Sequence, residues 1–252
     1  MPRISGAGRW GGEARVRQGK LEIRKALTAL CVFFLIIGGW ASYRYYQTYA
    51  PLPDSGGRQG PCTLWFIGSS TINYWDSLGP DMAPWVAHNR GIAGAMFPEI
   101  IRHFEADEKV RPPEAIMLYA GENDIANGSD TNREIANLKA FLAVKDRKFP
   151  ATPLYFISTK PSPTRWASFA EQSRYNAAAR ALVAGRKDSA FLNIVPMLLV
   201  NGRPGAFYRA DGVHLNPEGY QRVANIIRTA LDDTLPANRV RQCAARTVPI
   251  PA

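Results

Sequence analysis

The chain has 252 residues, of which 46% are apolar, so it can bury the core of one sizeable domain and still carry appendages. Its net charge of +10 is uneven, because residues 1–25 hold seven basic and two acidic side chains. The remaining charge is spread thinly, and no basic stripe alternates with aromatic residues. This distribution argues against a nucleic-acid-binding function.

An uncharged apolar stretch follows the basic segment. Ala26–Tyr43 spans 18 residues, which is the low end of what crosses a bilayer as a helix, and aromatic side chains crowd its far end. The pattern predicts a membrane anchor over residues 26–46. By the positive-inside rule, the basic segment 1–25 stays in the cytoplasm and the rest of the chain lies outside. The alternative is a signal peptide cleaved after Gly39–Ala41, which would release a secreted protein.

Composition also divides the remainder of the chain. Residues 47–61 are rich in proline and glycine and predict a linker. A globular domain is expected over residues 62–235, followed by an irregular tail over residues 236–252. Cys62 and Cys243 flank that domain. Outside the cytoplasm they either form a disulfide or remain two thiols, because spacing alone does not prove a bridge.

Five short apolar runs alternate with stretches of helical length and helical periodicity. The predicted strands are Cys62–Gly68, Trp85–Asn89, Ala115–Ala120, Leu154–Ser158 and Phe191–Val195. The predicted helices are Thr131–Lys148, Ser168–Gly185 and Pro217–Leu231. This alternation predicts an α/β fold with a parallel sheet covered on both faces. In such sheets functional groups gather at the carboxyl ends of the strands.

Ser70 follows the first predicted strand, directly after Gly68 and Ser69. A serine at that edge of the sheet can act as a nucleophile, and its own N–H would face a developing oxyanion. Taken alone, the Gly-Ser-Ser pattern is better explained by a helix N-cap.

Asp211 and His214 form the second candidate pair. At a spacing of three residues, a local turn brings the carboxylate to one ring nitrogen and leaves the other free, as a general base requires. The plainer alternative is a turn that Asp211 caps while His214 is solvated. The other two histidines, His88 and His103, have no such partner in the sequence and are expected to be structural.

Two further segments follow predicted strands. Asn123 comes just after Ala115–Ala120, where its side-chain amide could donate to an oxyanion, although an Asx turn explains it as well. Gly94 ends the segment that begins at Asn89, and its backbone N–H is accessible because glycine has no side chain to block the approach. Each signal is weak alone, but four pieces with distinct chemical roles at one sheet edge are poorly explained by accident.

The sequence resembles the SGNH hydrolases, the superfamily of GDSL-type esterases and lipases. Four blocks in the family's order carry the resemblance, over roughly residues 62–233: Gly68-Ser69-Ser70, Asn89 to Gly94, Gly121-Glu122-Asn123-Asp124 and Asp211-Gly212-Val213-His214. The family's first block often reads Gly-Asp-Ser, and here Ser69 stands at the aspartate position. That departure bears on which serine attacks, and Ser70, third in its block, is the expected nucleophile.

The resemblance implies a three-layer α/β/α sandwich with a flavodoxin-like sheet of about five strands. It also implies the catalytic residues Ser70, Asp211 and His214, an oxyanion hole made by Ser70, Gly94 and Asn123, and no metal or organic cofactor. The expected activity is hydrolysis of acyl esters, short-chain or acetyl, through an acyl-serine.

The expected substrate is a small-molecule or carbohydrate ester, and the expected membrane contact is the N-terminal helix. The alternatives are an O-acyltransferase that acts on envelope carbohydrate and an inactive, membrane-tethered carbohydrate-binding module. The segment Lys160–Trp166 follows the fourth predicted strand and is a candidate for the pocket rim, with Trp166 either lining a pocket or packing under the loop.

Overall fold

A computed structural model describes residues 10–54, 60–107 and 111–246. The chain divides into two units, Met1–Tyr49 and Ala50–Ala252. The first unit contains the long helix α1 (Trp10–Tyr49). Its stretch Glu22–Tyr45 has a mean hydropathy of 1.9 and is exposed throughout; among the residues the structure describes, it is the one helix long and apolar enough to cross a membrane. A membrane anchor and a signal sequence share these properties.

The second unit is built on a parallel sheet of five strands in the order β2-β1-β3-β4-β5. The strands are β1 (Thr63–Gly68), β2 (Val86–Gly91), β3 (Ala115–Tyr119), β4 (Leu154–Ile157) and β5 (Ser189–Leu192), and a separate hairpin joins β6 (Leu199–Val200) to β7 (Arg203–Pro204). This strand order is the flavodoxin-like arrangement, in which ligands bind where the order reverses, between β1 and β3. The predicted fold class is confirmed.

Helices cover both faces of the sheet. They are α2 (Ser70–Asn73), α3 (Leu78–Met82), α4 (Phe97–Ala106), α5 (Glu122–Ala126), α6 (Thr131–Lys148), α7 (Phe169–Ala184), α8 (Val195–Leu198), α9 (Pro217–Thr234) and α10 (Ala237–Arg246), with a short 3-10 turn at Trp166–Ser168. Strand periodicity explains the two cores. In β1, Leu64 and Phe66 pack toward α3 and α9, whereas Trp65 and Ile67 pack toward α4, α6 and α7. All six residues of β1 are buried, as expected for a central parallel strand.

The structure corrects two sequence predictions at the C-terminal end of the domain. The fifth strand is Ser189–Leu192, not Phe191–Val195, and Val195 begins α8 instead. Ile194 lies in the loop before α8, and its side chain is buried in the core. Its hydrophobicity therefore reflects core packing and not a strand. The expected irregular tail contains the helix α10, whose Cys243 is buried.

Cys62 and Cys243 form a disulfide with their Cα atoms 5.5 Å apart. The bond joins α10 to the residue before β1, at the amino end of the sheet. Cys31, in α1, is a free thiol.

The start of the predicted linker is bound to the domain. Leu52 is buried, and its N–H donates to the carboxylate of Asp107. The guanidinium of Arg90, itself paired with Asp107, donates to the Pro53 carbonyl. Residues 50–54 therefore belong to the second folded unit, although the sequence predicted them to be part of the linker.

Candidate active site

Ser70 is the first residue of α2 and lies at the carboxyl end of β1. Two glycines make this tight strand-to-helix turn feasible. A Cβ on Gly68 would lie 2.4 Å from the Tyr119 carbonyl oxygen of β3 and 2.7 Å from Cγ1 of Ile72 in α2, and a Cβ on Gly91 would lie 2.3 Å from the Asn73 nitrogen. These separations are far below van der Waals contact, so α2 can pack this closely on β1 and β2 only with glycine there. Ser70 is 8% exposed at the sheet edge.

His214 joins Ser70 to Asp211. Its Nε2 lies 2.8 Å from Oγ of Ser70, and its Nδ1 lies 2.7 Å from a carboxylate oxygen of Asp211. An ionised carboxylate only accepts hydrogen bonds, so Nδ1 carries the proton and Nε2 presents its lone pair to the serine hydroxyl. This is the tautomer that a general base for Ser70 needs.

Asp211 stays ionised in this setting. Partial burial by itself raises the pKa of Asp211, but the hydrogen bond from the His214 ring and those from the backbone N–H groups of His214 and Val213 outweigh it and hold the pKa well below its ordinary value. The carboxylate can therefore stabilise an imidazolium on His214 across the neutral range.

The turn that carries His214 is held from two sides. The Thr164 hydroxyl donates to the Asp211 carbonyl, and the Thr164 N–H donates to the Gly212 carbonyl. Gly212 has φ +65°, a backbone conformation that favours glycine. A Cβ there would also lie only 2.5 Å from the Thr164 hydroxyl oxygen, so the space excludes a side chain as well. On the other side, the Tyr74 ring packs edge-on against the imidazole with a centroid separation of 4.8 Å.

Asn123 lies in the first turn of α5, after β3, which is the neighbour of β1 in the sheet. Its Nδ2 donates to the Ala95 carbonyl at 3.0 Å, so the loop that contains Gly94 is tied to Asn123. Nδ2 has a second hydrogen that remains available. Gly94 has φ +74° and open space on its Cβ side, and no described residue accepts a hydrogen bond from its N–H.

A buried ionic cluster adjoins Asn123. Lys160 and Glu122, respectively 0% and 2% exposed in their side chains, pair with the Lys160 Nζ 2.7 and 2.9 Å from the two carboxylate oxygens of Glu122. The Tyr119 hydroxyl donates to the same carboxylate. Arg165 reaches both Glu122, at 3.4 Å, and the side-chain oxygen of Asn123, at 2.8 Å.

Sequence reasoning assigned no role to Glu122 or Arg165 and treated Lys160–Trp166 only as a candidate rim. The available signal was two basic residues in a loop after a strand, opposite an acidic residue in the Gly-Glu-Asn-Asp block. That signal is ambiguous because a sequence does not show that the loop after β4 folds over the carboxyl end of β3.

The remaining histidines lie in other contacts. Nδ1 of His88 is 2.5 Å from the Asp54 carboxylate, a partner the sequence did not predict, and Nδ1 of His103 is 2.6 Å from the Ala50 carbonyl. Both histidines hold residues 50–54 on the domain.

Known structures share this fold. A GDSL-like lipase from Bacteroides thetaiotaomicron is 21% identical with a TM-score of 0.61, covering 77% of this chain and 99% of that one. A family 3 carbohydrate esterase from Clostridium thermocellum is 17% identical with a TM-score of 0.59, covering 71% and 100%. Another family 3 carbohydrate esterase, from Talaromyces cellulolyticus, is 16% identical with a TM-score of 0.55, covering 68% and 96%. No curated protein matches the chain.

The chain thus shares its fold with these proteins. A family model for the GDSL-like lipase/acylhydrolase family matches residues 66–222. The chain belongs to that family, and the resemblance seen in the sequence is confirmed.

Proposed function

We propose that this chain is a serine esterase that hydrolyses short-chain or acetyl esters through an acyl-serine intermediate, outside the cytoplasmic membrane. The observation that carries the proposal is the continuous hydrogen-bonded series from Ser70 through His214 to Asp211. A hydroxyl with an adjacent base, which is itself oriented by a carboxylate, is the arrangement that activates a serine for acyl transfer.

The proposed reaction has two halves. His214 takes the Ser70 proton as Oγ bonds to the acyl carbon, and the carbonyl oxygen becomes an oxyanion held by the N–H groups of Ser70 and Gly94 and by the Asn123 amide. The oxyanion collapses, the ester C–O bond breaks, and His214 returns the proton to the leaving alcohol. Water then attacks the acyl-serine with His214 as base, which releases the acid and restores Ser70.

An acyl ester of a carbohydrate is the proposed substrate class. Two of the fold neighbours described above are carbohydrate esterases by name. Trp166 lies on the loop that contacts Asn123 through Arg165. Its ring stacks on Phe169 with centroids 4.7 Å apart, and the Arg203 guanidinium lies 5.0 Å from its centroid, so it packs within the loop region and adds no support for a carbohydrate site.

Placement outside the cytoplasm is supported by two independent features. The basic segment precedes the exposed apolar helix, which favours an outward-facing catalytic unit. The Cys62–Cys243 disulfide suits an oxidising compartment. Alkaline phosphatase, which folds only outside the cytoplasm, fused after residue 252 should be active. An inactive fusion, with a cytoplasmic reporter active at the same position, would contradict this topology.

The activity is tested with the full chain in detergent micelles. Chromogenic acetyl, butyryl and octanoyl esters and an acetylated oligosaccharide are offered to the natural chain and to Ser70→Ala and Ser69→Ala variants. We expect Ser70→Ala to lower turnover by on the order of 10⁴ or more. Ser69→Ala should keep most of it, because Ser69 makes no side-chain capping bond.

A serine-reactive phosphonate should label Ser70 in the natural chain and in Ser69→Ala. Near-normal hydrolysis by Ser70→Ala, or labelling at Ser69, would overturn the assignment. Repeating the assay with a carbohydrate acceptor separates hydrolysis from transfer, since a transferase would yield an acylated acceptor in place of the free acid.

A further inference from the structure

Arg165 fixes the direction in which Asn123 presents its amide. Its guanidinium donates to Oδ1 of Asn123 at 2.8 Å, while Nδ2 donates to the Ala95 carbonyl at 3.0 Å. With both ends of the amide engaged, the side chain cannot rotate by 180° without losing two hydrogen bonds. The remaining Nδ2 hydrogen therefore keeps one direction.

Arg165 is itself held by the buried pair beneath it. Its guanidinium lies 3.4 Å from Glu122, whose two carboxylate oxygens both accept hydrogen bonds from the Lys160 ammonium. Lys160 alone neutralises Glu122, so Arg165 leaves the cluster with one net positive charge next to the amide. Burial lowers the pKa of Lys160, and the neighbouring Glu122 carboxylate offsets part of that shift.

The loop that carries Arg165 has other attachments. The Tyr208 hydroxyl donates to the Pro161 carbonyl, and Thr164 is bonded to both Asp211 and Gly212. Lys160 anchors the beginning of the loop in the core. Arg165 is 27% exposed in its side chain and is not required for any of these bonds. Loop anchoring therefore does not account for its contact with Asn123.

We propose that Arg165 is a positioning residue for ester hydrolysis: it holds the Asn123 amide toward the oxyanion. The inference rests on the proposed function, in which Asn123 is an oxyanion donor. A donor fixed before the reaction needs no reorganisation as the charge forms, and a small displacement of such a group can cost on the order of 10²-fold in rate.

A double-mutant cycle tests this in the full chain, with Arg165→Ala, Asn123→Ala and the double variant. We expect Arg165→Ala to lower kcat by about 10- to 100-fold with KM within about threefold, because the loss falls on the transition state. In the Asn123→Ala background, adding Arg165→Ala should lower kcat by less than about threefold, because the amide that Arg165 positions is already gone. The matched control is Arg174→Ala, an exposed arginine paired with Glu171, which should leave kcat unchanged.

Two outcomes would overturn the inference: an unchanged kcat in Arg165→Ala, or an equal loss in the natural and Asn123→Ala backgrounds. If Arg165→Ala does not fold, Arg165→Lys replaces it in the cycle, because lysine keeps the charge but not the planar fork that reaches two acceptors. The same non-additivity with Asn123 is then expected. Failure of the proposed function is distinguishable, since it would appear as retained hydrolysis in Ser70→Ala.

Discussion

Oγ of Ser70 and Nε2 of His214 are 2.8 Å apart, although 144 positions separate them in the chain. One residue begins α2 after β1, and the other ends a turn just before α9. Direct bonds hold these two regions together: the Tyr220 hydroxyl of α9 donates to the Thr71 carbonyl, and Arg209 donates to the Tyr74 carbonyl. The serine–histidine contact is therefore built into the packing of α9 against α2.

Replacing Asp211 by asparagine should lower kcat by up to about 10⁴-fold, because the imidazole loses both its enforced tautomer and its counter-charge. The pKa of Asp211 is lowered in the folded state, so the carboxylate remains charged well below neutrality. In the natural chain, protonation of Asp211 should therefore not limit activity until the pH is well below the ordinary aspartate range. The measurement is kcat against pH for both proteins.

The same shift has a consequence for stability. A carboxyl group whose pKa is lowered by folding stabilises the fold above its unfolded-state pKa of about 3.9, and that contribution is lost as the pH falls toward the folded-state value. Because the Asp211 side chain is 46% exposed, solvent screening keeps the effect small. A large change in neutral-pH stability in Asp211→Asn would contradict this account.

Removing the Asn123 amide with Asn123→Ala should lower kcat on the order of 10²–10³-fold, as for other side-chain oxyanion donors, while KM changes little. Asn127→Ala is a suitable control, because Asn127 donates to the Asn123 carbonyl from the other end of α5. Its kcat should stay within a few-fold of the natural value. Equal losses in the two variants would point to a general disturbance of α5.

Glu122→Gln should destabilise the fold by about 3–5 kcal/mol, because the buried Lys160 would lose its counter-charge. Denaturant unfolding measures the loss. The control is Glu218→Gln, which breaks an exposed pair with Arg222 and should cost less than about 1 kcal/mol.

The pH dependence of Glu122→Gln gives an independent check. Without the carboxylate, burial lowers the pKa of Lys160 further, so the unfolded state binds more protons than the folded state at mildly alkaline pH. The free energy of unfolding of the variant then rises with pH. Its difference from the natural chain should therefore shrink between neutral pH and the unfolded lysine pKa of about 10.4. A deficit that grows over this range would be inconsistent with a buried, unpaired lysine.

Loss of the disulfide should destabilise the catalytic unit without changing its chemistry. The bond closes a separation of 181 residues, and replacing Cys62 and Cys243 together by alanine should cost about 2–5 kcal/mol. Because six-residue β1 places Cys62 about 20 Å from Ser70, kcat at low temperature should not change. Cys31→Ala is the matched control and should leave stability unaltered.

Local patterns in the sequence were sufficient to predict the fold class and most of the candidate site residues. Runs of apolar residues predicted the five-stranded parallel sheet of an α/β fold, although they placed the fifth strand too far along the chain. Buried parallel strands need continuous hydrophobicity, and their crossover helices need helical periodicity. The apolar helix after the basic segment was equally visible. Four short blocks with distinct chemistry identified the family and the candidate residues Ser70, Gly94, Asn123, Asp211 and His214.

Only the tertiary structure decided the contacts between distant segments. The pairing of Cys62 with Cys243, the docking of residues 50–54 and the placement of Arg165 between Glu122 and Asn123 each join parts of the chain that no local pattern relates. The helix α10 escaped prediction because Val240 and Cys243 are its only apolar side chains larger than alanine, and a disulfide to the residue before β1 holds it on the domain. Such contacts depend on which surfaces meet after the sheet has assembled, and periodicity carries no information about that.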